Sequence, residues 1–182
     1  MNTPPIIYTE HLILTILVPD DYLKLVNYQR INFQHLQSWE PLRDKAYFSE
    51  AETEKRVQAN LELFHSGMCI PLVGFDKKTG QIVCCANFSN IVQGAFQACH
   101  LGYSINQRDQ GKGLMFEMLN AAIPYVFKKY QLHRIMANYI PSNIRSAQLL
   151  KRLGFEQEGL AKSYLKIAGE WQDHVLTSKL CP

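Results

Sequence analysis

Residues 101–130 read LGYSINQRDQGKGLMFEMLNAAIPYVFKKY, and the fold follows from how this stretch is parsed. An extended segment over 97–105 runs into Arg108-Asp109-Gln110-Gly111-Lys112-Gly113, and a helix over 112–130 starts at once. In that helix Leu114, Met115, Met118, Leu119, Ala122, Ile123, Val126, Phe127 and Tyr130 repeat at i, i+1, i+4, i+5, which defines one buried face. A strand that passes through two glycines into a helix leaves the first N–H groups of the helix without partners. The helix dipole adds partial positive charge there, so the turn suits a phosphate. Glycine also lets a ligand approach the main chain closely. A Walker loop would need Lys-Ser/Thr after its last glycine, and a dinucleotide fingerprint would need a glycine where Phe116 stands. What remains is Arg108-x-x-Gly111-x-Gly113, which taken alone describes a helix-capping turn equally well.

Outward from this stretch, residues 12–18 form an apolar strand closed by Pro19, and Asp20 is placed to cap a helix over 21–33. Segment 34–48, with Trp39-Glu40-Pro41 inside it, reads as irregular. Ser49-x-x-Glu52 is a capping box that opens a second helix, and Gly67 ends it. Residues 69–75 and 82–88 read as strands joined by the hairpin turn Lys77-Lys78-Thr79-Gly80. After the long helix come a strand over 133–140 stopped by Pro141, a helix over 143–153 closed by Gly154, and a hairpin of 155–167 and 170–177. Pro124 inside the long helix removes the bond to the Asn120 carbonyl and predicts a kink. The order is β-α-α-β-β-β-α-β-α-β-β. Strands 97–105 and 133–140 are parallel neighbours through a right-handed crossover. The expected class is therefore α/β (α+β): a mixed, mostly antiparallel sheet of about seven strands with one parallel pair and helices on both faces.

The chain has 182 residues, 47% of them hydrophobic, enough for one core and a single domain over 1–182. No apolar run reaches membrane-span length and no signal segment opens the sequence. The five cysteines form no CxxC pair, so neither a metal site nor a disulfide framework is expected, and a cytoplasmic setting fits. A net charge of +3 permits an anionic cofactor or an acidic ribosomal surface without arguing for nucleic acid.

A second block, Asn143-x-x-Ser146-x-x-Leu149-Leu150-x-x-x-Gly154-Phe155, lies about thirty residues after the glycine loop. Together with the element order, these blocks resemble the GCN-five-related N-acetyltransferases (GNAT) over nearly the whole chain. The strings LGYSI, QGKGLMFE, HRIMANY, RSAQLLKRLGFEQEG and GEWQDHVLT, with Trp39-Glu40-Pro41-x-Arg43-Asp44, look like the RimJ type. That type acetylates the N-terminal alanine of a small-subunit ribosomal protein, the fifth. The resemblance implies acetyl-CoA as cosubstrate and a splayed parallel pair whose open edge receives the pantetheine. It places cofactor contacts at Tyr103, Ile105, Arg108, Gln110, Gly111, Lys112, Gly113, Leu114, Asn143 and Ser146. Pyrophosphate would lie on the amides of 110–114, and an N–H near Ile105 would meet the developing oxyanion.

The chain also departs from the family. Where many relatives carry a tyrosine acid this sequence has Leu150, and Ser146 matches a serine that serves instead in a related ribosomal enzyme. Where that enzyme has a glutamate base, this chain has Leu165. Glu40, in the loop expected to flank the substrate mouth, is the base candidate, against a surface carboxylate paired with Arg43. His100 is a further candidate by strand parity. Asn143 is equally an ordinary N-cap, and Arg108 and Lys112 are equally solvated cations. Cys84, Cys85 and Cys99 sit in apolar strand patterns, so direct attack in a ternary complex is preferred over an acetyl-cysteine. Two other readings stay open. One is a noncatalytic ribosome-associated factor docking through Lys128, Lys129, Arg134, Lys151 and Arg152. The other is acetylation of a small amine, which needs an acidic pocket. The sequence leaves monomer and homodimer equally open.

Overall fold

The computed structural model describes residues 3–182. Eight strands form one sheet: β1 (Ile7–Tyr8), β2 (Leu12–Ile16), β3 (Ile70–Asp76), β4 (Ile82–Val92), β5 (Ala98–Ile105), β6 (Arg134–Met136), β7 (Glu156–Ile167) and β8 (Glu170–Leu180), in the order β1-β2-β3-β4-β5-β6-β8-β7. Every pairing is antiparallel except β5 with β6. The helices are α1 (Tyr22–Leu36), α2 (Glu50–His65), α3 (Leu114–Tyr130) and α4 (Ile144–Arg152). Two apolar clusters hold them. One gathers α3, Leu150 and Leu153 with β2 to β6; the other gathers Tyr28 and Val57 with Val73 and Ile82.

The face of α3 is the one its periodicity announces. Leu114, Met115, Met118, Leu119, Ala122, Ile123, Val126 and Phe127 are all buried, each large side chain contributing roughly 1.5–3 kcal/mol. Pro124 stands on the exposed side beside Asn120, where water can serve the carbonyl it leaves unpaired, and the helix runs uninterrupted. The Ser49 cap forms, its side chain accepting from the Glu52 amide at 3.3 Å.

The structure corrects several boundaries. The short strand β1 adds an eighth member, tied to β2 at one edge of the sheet. Asp20 does not cap α1: Pro19–Asp21 is a 3₁₀ turn, and Asp21, at the cap position, makes no side-chain cap bond. Helix α1 continues to Leu36, so the irregular segment is shorter than 34–48, and its residues Ala46–Phe48 form another 3₁₀ turn.

The correction that matters for function concerns 133–140. Only Arg134–Met136 pair with β5, opposite Ala98–His100. Beyond Met136 the chain follows β8 alone: Ala137 donates to the Thr177 carbonyl at 3.0 Å, and Tyr139 and Val175 exchange bonds at 3.2 and 2.8 Å. The ladder to β8 draws the segment away from β5, and the β5 edge beyond the Leu101 amide is left open.

Candidate active site

Backbone alternation decides what that open edge offers. The Gln97 carbonyl accepts from His133 and Arg134 on the β6 side, while the Asn106 amide donates to Val83 on the β4 side. Successive residues of a strand turn their polar groups to opposite edges. The pair His100–Met136 takes the Leu101 N–H, so the Leu101 carbonyl and both main-chain polar groups of Tyr103 and Ile105 turn toward the gap. Unpaired main-chain groups in this arrangement are a template for an extended, amide-bearing ligand.

At the end of β5 the chain makes a 3₁₀ turn (Gln107–Asp109) and then the glycine loop. Gly111 and Gly113 have φ of 74° and 83°, and an added Cβ on either would project into open space. Among the described residues, the amides of 111–116 donate to no protein acceptor, and the first bond of α3 runs from Glu117 N–H to the Gly113 carbonyl. Six free donors at a helix N-terminus form an anion cradle. The Gln110 amide is a correction to the expected set, because it turns back onto the Gln107 carbonyl at 3.4 Å. Its side chain instead braces the loop. The Gln110 amide group meets His35 Nε2 at 2.9 Å, and its oxygen accepts from Arg145.

The loop cations differ in their engagement. Lys112 donates to Asp109 at 2.8 Å, while Arg108 lies 3.7 Å from the same carboxylate and is largely exposed. Burial pushes the Asp109 carboxyl up, but hydrogen bonds from Lys112 and Asn106 outweigh it and hold the group below its ordinary value.

Helix α4 brings the second block to the gap. The Asn143 side-chain oxygen accepts from the Ser146 amide at 3.1 Å, so the N-cap role is real, and its NH₂ has no protein partner among the described residues. The hydroxyls of Ser146 and Tyr103 lie 2.6 Å apart. Burial pushes Tyr103 up to about 12, with the Ser146 bond acting the other way. Leu150 is 1% exposed in the main core, far from any polar task.

Tyr103, Asn143 and Ser146 line a cleft of about 650 Å³ whose opposite wall is formed by α1, the segment after it and the β7–β8 hairpin. Glu40 is there too, and its main-chain carbonyl accepts from Ala168 at the hairpin turn at 2.9 Å. Burial raises the Glu40 carboxyl above its ordinary value; Arg43 pulls it down but forms no ion pair with it, lying instead over the Tyr47 ring at 4.8 Å. A half-buried carboxylate poised above its usual range is a fit proton acceptor. Leu165 lines the cleft as an apolar surface. His100 is outside the cleft lining; its Nδ1 is buried without a partner and burial pushes its pKa down.

Burial drives Cys85 up to about 12, reinforced by Glu40, and Cys99 up to about 12; Cys84 is raised well above its ordinary value. All three are thiols at neutral pH, poor nucleophiles by that measure. Residues that the sequence reading passed over also reach the cleft. Tyr28 shares a hydrogen bond with Ser104 at 2.8 Å, and the Nδ1 of His174 lies 3.0 Å from the Gln172 carbonyl. A carbonyl only accepts, so Nδ1 donates in that contact, from a residue only 4% exposed. Parity along β8 was the available signal for His174; Tyr28 had none beyond lying on a helix.

Residues 11–156 match the model of the acetyltransferase (GNAT) domain. Over all 182 residues the chain is 45% identical to the [ribosomal protein uS5]-alanine N-acetyltransferase of Escherichia coli (strain K12), covering 94% of that protein. The crystal structure of ribosomal-protein-S5-alanine acetyltransferase from Vibrio fischeri matches with a TM-score of 0.92 at 39% identity, over 98% of this chain and 97% of that one. Mycobacterium smegmatis RimJ in complex with CoA-disulfide gives 0.88 at 26% identity, over 93% and 82%. A domain match over most of the chain and a full-length relative at this identity carry one conclusion: the protein belongs to the GNAT family and is an acetyltransferase.

Proposed function

We propose that this protein transfers the acetyl group of acetyl-CoA to the N-terminal alanine of ribosomal protein uS5 in the cytoplasm, by direct attack within a ternary complex. The observation that carries the reading is the continuity of the open β5 edge with the glycine loop, both offering free main-chain groups, with the Tyr103 and Ser146 hydroxyls meeting between β5 and α4. The relatives' named substrate supplies the acceptor class.

The residues present fit the coenzyme. The amides of 111–114 receive the diphosphate, Arg108 adds charge, and Lys112 exchanges Asp109 for a phosphate oxygen. The Leu101 carbonyl and the main-chain groups of Tyr103 and Ile105 pair with the pantetheine amides, and an N–H on that edge polarises the thioester carbonyl. Holding amine and thioester together supplies much of the acceleration. An α-amino group titrates near about 8, so a neutral fraction exists at cytoplasmic pH and a modest acceptor is sufficient. Glu40 takes the amine proton, and Ser146, hydrogen-bonded to Tyr103, protonates the departing thiolate.

The two other sequence readings lose support. Two of the five cations assigned to a noncatalytic docking surface are engaged: Arg134 grips Glu158 at 2.6 Å, and Arg152 stacks over Phe116 at 3.8 Å. A polycationic acceptor would need an acidic wall, and Glu40 is the single carboxylate among the cleft's lining residues. The deciding experiment is acetyl-CoA-dependent thiol release with a peptide of the uS5 N-terminus, beside the same peptide blocked at its amine. Turnover of the free peptide alone supports the reading; turnover of lysine side chains or polyamines but not of this peptide overturns it.

A further inference from the structure

Two asparagines are among the most deeply buried polar residues of the molecule, and neither belongs to the machinery described above. Asn32, on α1, is 0% exposed; Asn106, between β5 and the glycine loop, is 3% exposed. Their amides meet. Asn32 Nδ2 donates to Asn106 Oδ1 at 2.5 Å and to the Tyr28 carbonyl at 2.8 Å, and Asn32 Oδ1 accepts from the Gln107 amide at 3.0 Å. Asn106 Nδ2 in turn donates to Asp109 Oδ2 at 3.0 Å, and the Asp109 amide donates back to the Asn106 carbonyl at 3.1 Å. The chain of bonds ends at Lys112, held on the other oxygen of Asp109. Buried amides with this many partners fix a local conformation, because each partner lost leaves an uncompensated polar group behind.

We propose that Asn32 is a positioning residue for the coenzyme loop: through Asn106 and Gln107 it sets the turn that presents the free amides of Gly111 to Leu114. The assignment rests on the acetyl-CoA reading of that loop. The glycines explain why this outside support is needed. Gly111 and Gly113 hold the conformation the cradle needs, and residues without a Cβ have the most alternatives open to them. The loop borrows its rigidity from a helix that packs on the opposite wall of the cleft. Asn32 touches no reacting atom, so its removal acts on coenzyme affinity and leaves the chemical step alone.

Two variants test this from opposite sides of one hydrogen bond. Asn32→Ala removes the side chain. Gln107→Pro, at an exposed site opening a 3₁₀ turn after an extended residue, removes only the N–H that Asn32 accepts. Titration calorimetry with acetyl-CoA should show Kd raised roughly tenfold in each, with kcat at saturating coenzyme and the acceptor KM within about threefold of the parent. A purely structural asparagine would lower the thermal midpoint and leave the Kd of the folded protein unchanged. That result, in either folded variant, overturns the assignment, and if Asn32→Ala does not fold, Gln107→Pro decides. Failure of the unaltered protein to bind acetyl-CoA overturns the site reading and this assignment with it; normal binding by the parent and by Gln107→Pro overturns this assignment alone.

Discussion

The two halves of the site are built from different materials. The half assigned to the coenzyme is mainly main chain: free amides of a glycine turn and the unpaired edge of one strand, all supplied by residues close together in sequence. The half assigned to the acceptor is side chain: Glu40 after α1, Tyr28 on α1 and His174 on β8, from three places in the sequence. Main-chain recognition demands only a backbone path, so it leaves its mark as glycines in a short motif. Side-chain recognition demands that distant elements converge, and no local pattern records it.

The largest expected effect breaks the coenzyme half. Gly111→Val places a branched side chain in the space the phosphate needs and at a φ of 74°, and acetyl-CoA affinity by calorimetry should fall roughly a hundredfold or more. Unchanged affinity removes the loop from the site.

Next is the junction of the halves. Ser146→Ala should lower kcat roughly ten- to a hundredfold, with acetyl-CoA Kd nearly unchanged, since a lost proton donor acts on the chemical step. Tyr103→Phe, which takes one partner from Ser146, should give a smaller loss in the same assay.

Glu40→Gln probes the acceptor half through pH. With Glu40 as the base, both it and the amine must be deprotonated; burial has raised the Glu40 carboxyl, so activity should fall on acidification through that elevated value as well as through the amine's. The Gln variant should keep only the amine's dependence, at a kcat/KM roughly tenfold lower near neutrality. A profile that matches the parent in shape assigns the proton to another group, with His174 the next candidate.

The smallest effect concerns the strut between the walls. Ala168 sits at a φ of 49° in the hairpin turn that donates to Glu40. Ala168→Gly should relieve that strain and raise stability by about 0.5 kcal/mol in thermal denaturation, with turnover unchanged.

The contrast between the halves also separates what was legible in the sequence from what was not. Helix α3 and its loop were legible because period and glycine placement are local properties, and all eight buried positions of its face fell on the expected residues. Asp20 misled because a 3₁₀ turn after Pro19 took the place where a cap was expected. The extent of the strand over 133–140 was misjudged because its residues suit an extended chain throughout. Which neighbour that chain pairs with is settled by β8, from the far end of the sequence.

The sequence by itself determined the element order from the strand at Leu12 onward, the buried face of α3, the glycine turn that opens it and the exclusion of Leu150 as an acid, because each depends on residue type at short separation. Only the tertiary structure decided where β5 and β6 part, that Ser146 meets Tyr103, that Glu40 escapes Arg43 and is raised by burial, and that Asn32 braces a loop seventy-four residues from it at Asn106. Burial and hydrogen-bond partnership are properties of packed neighbours, and packing joins residues that no periodicity along the chain relates.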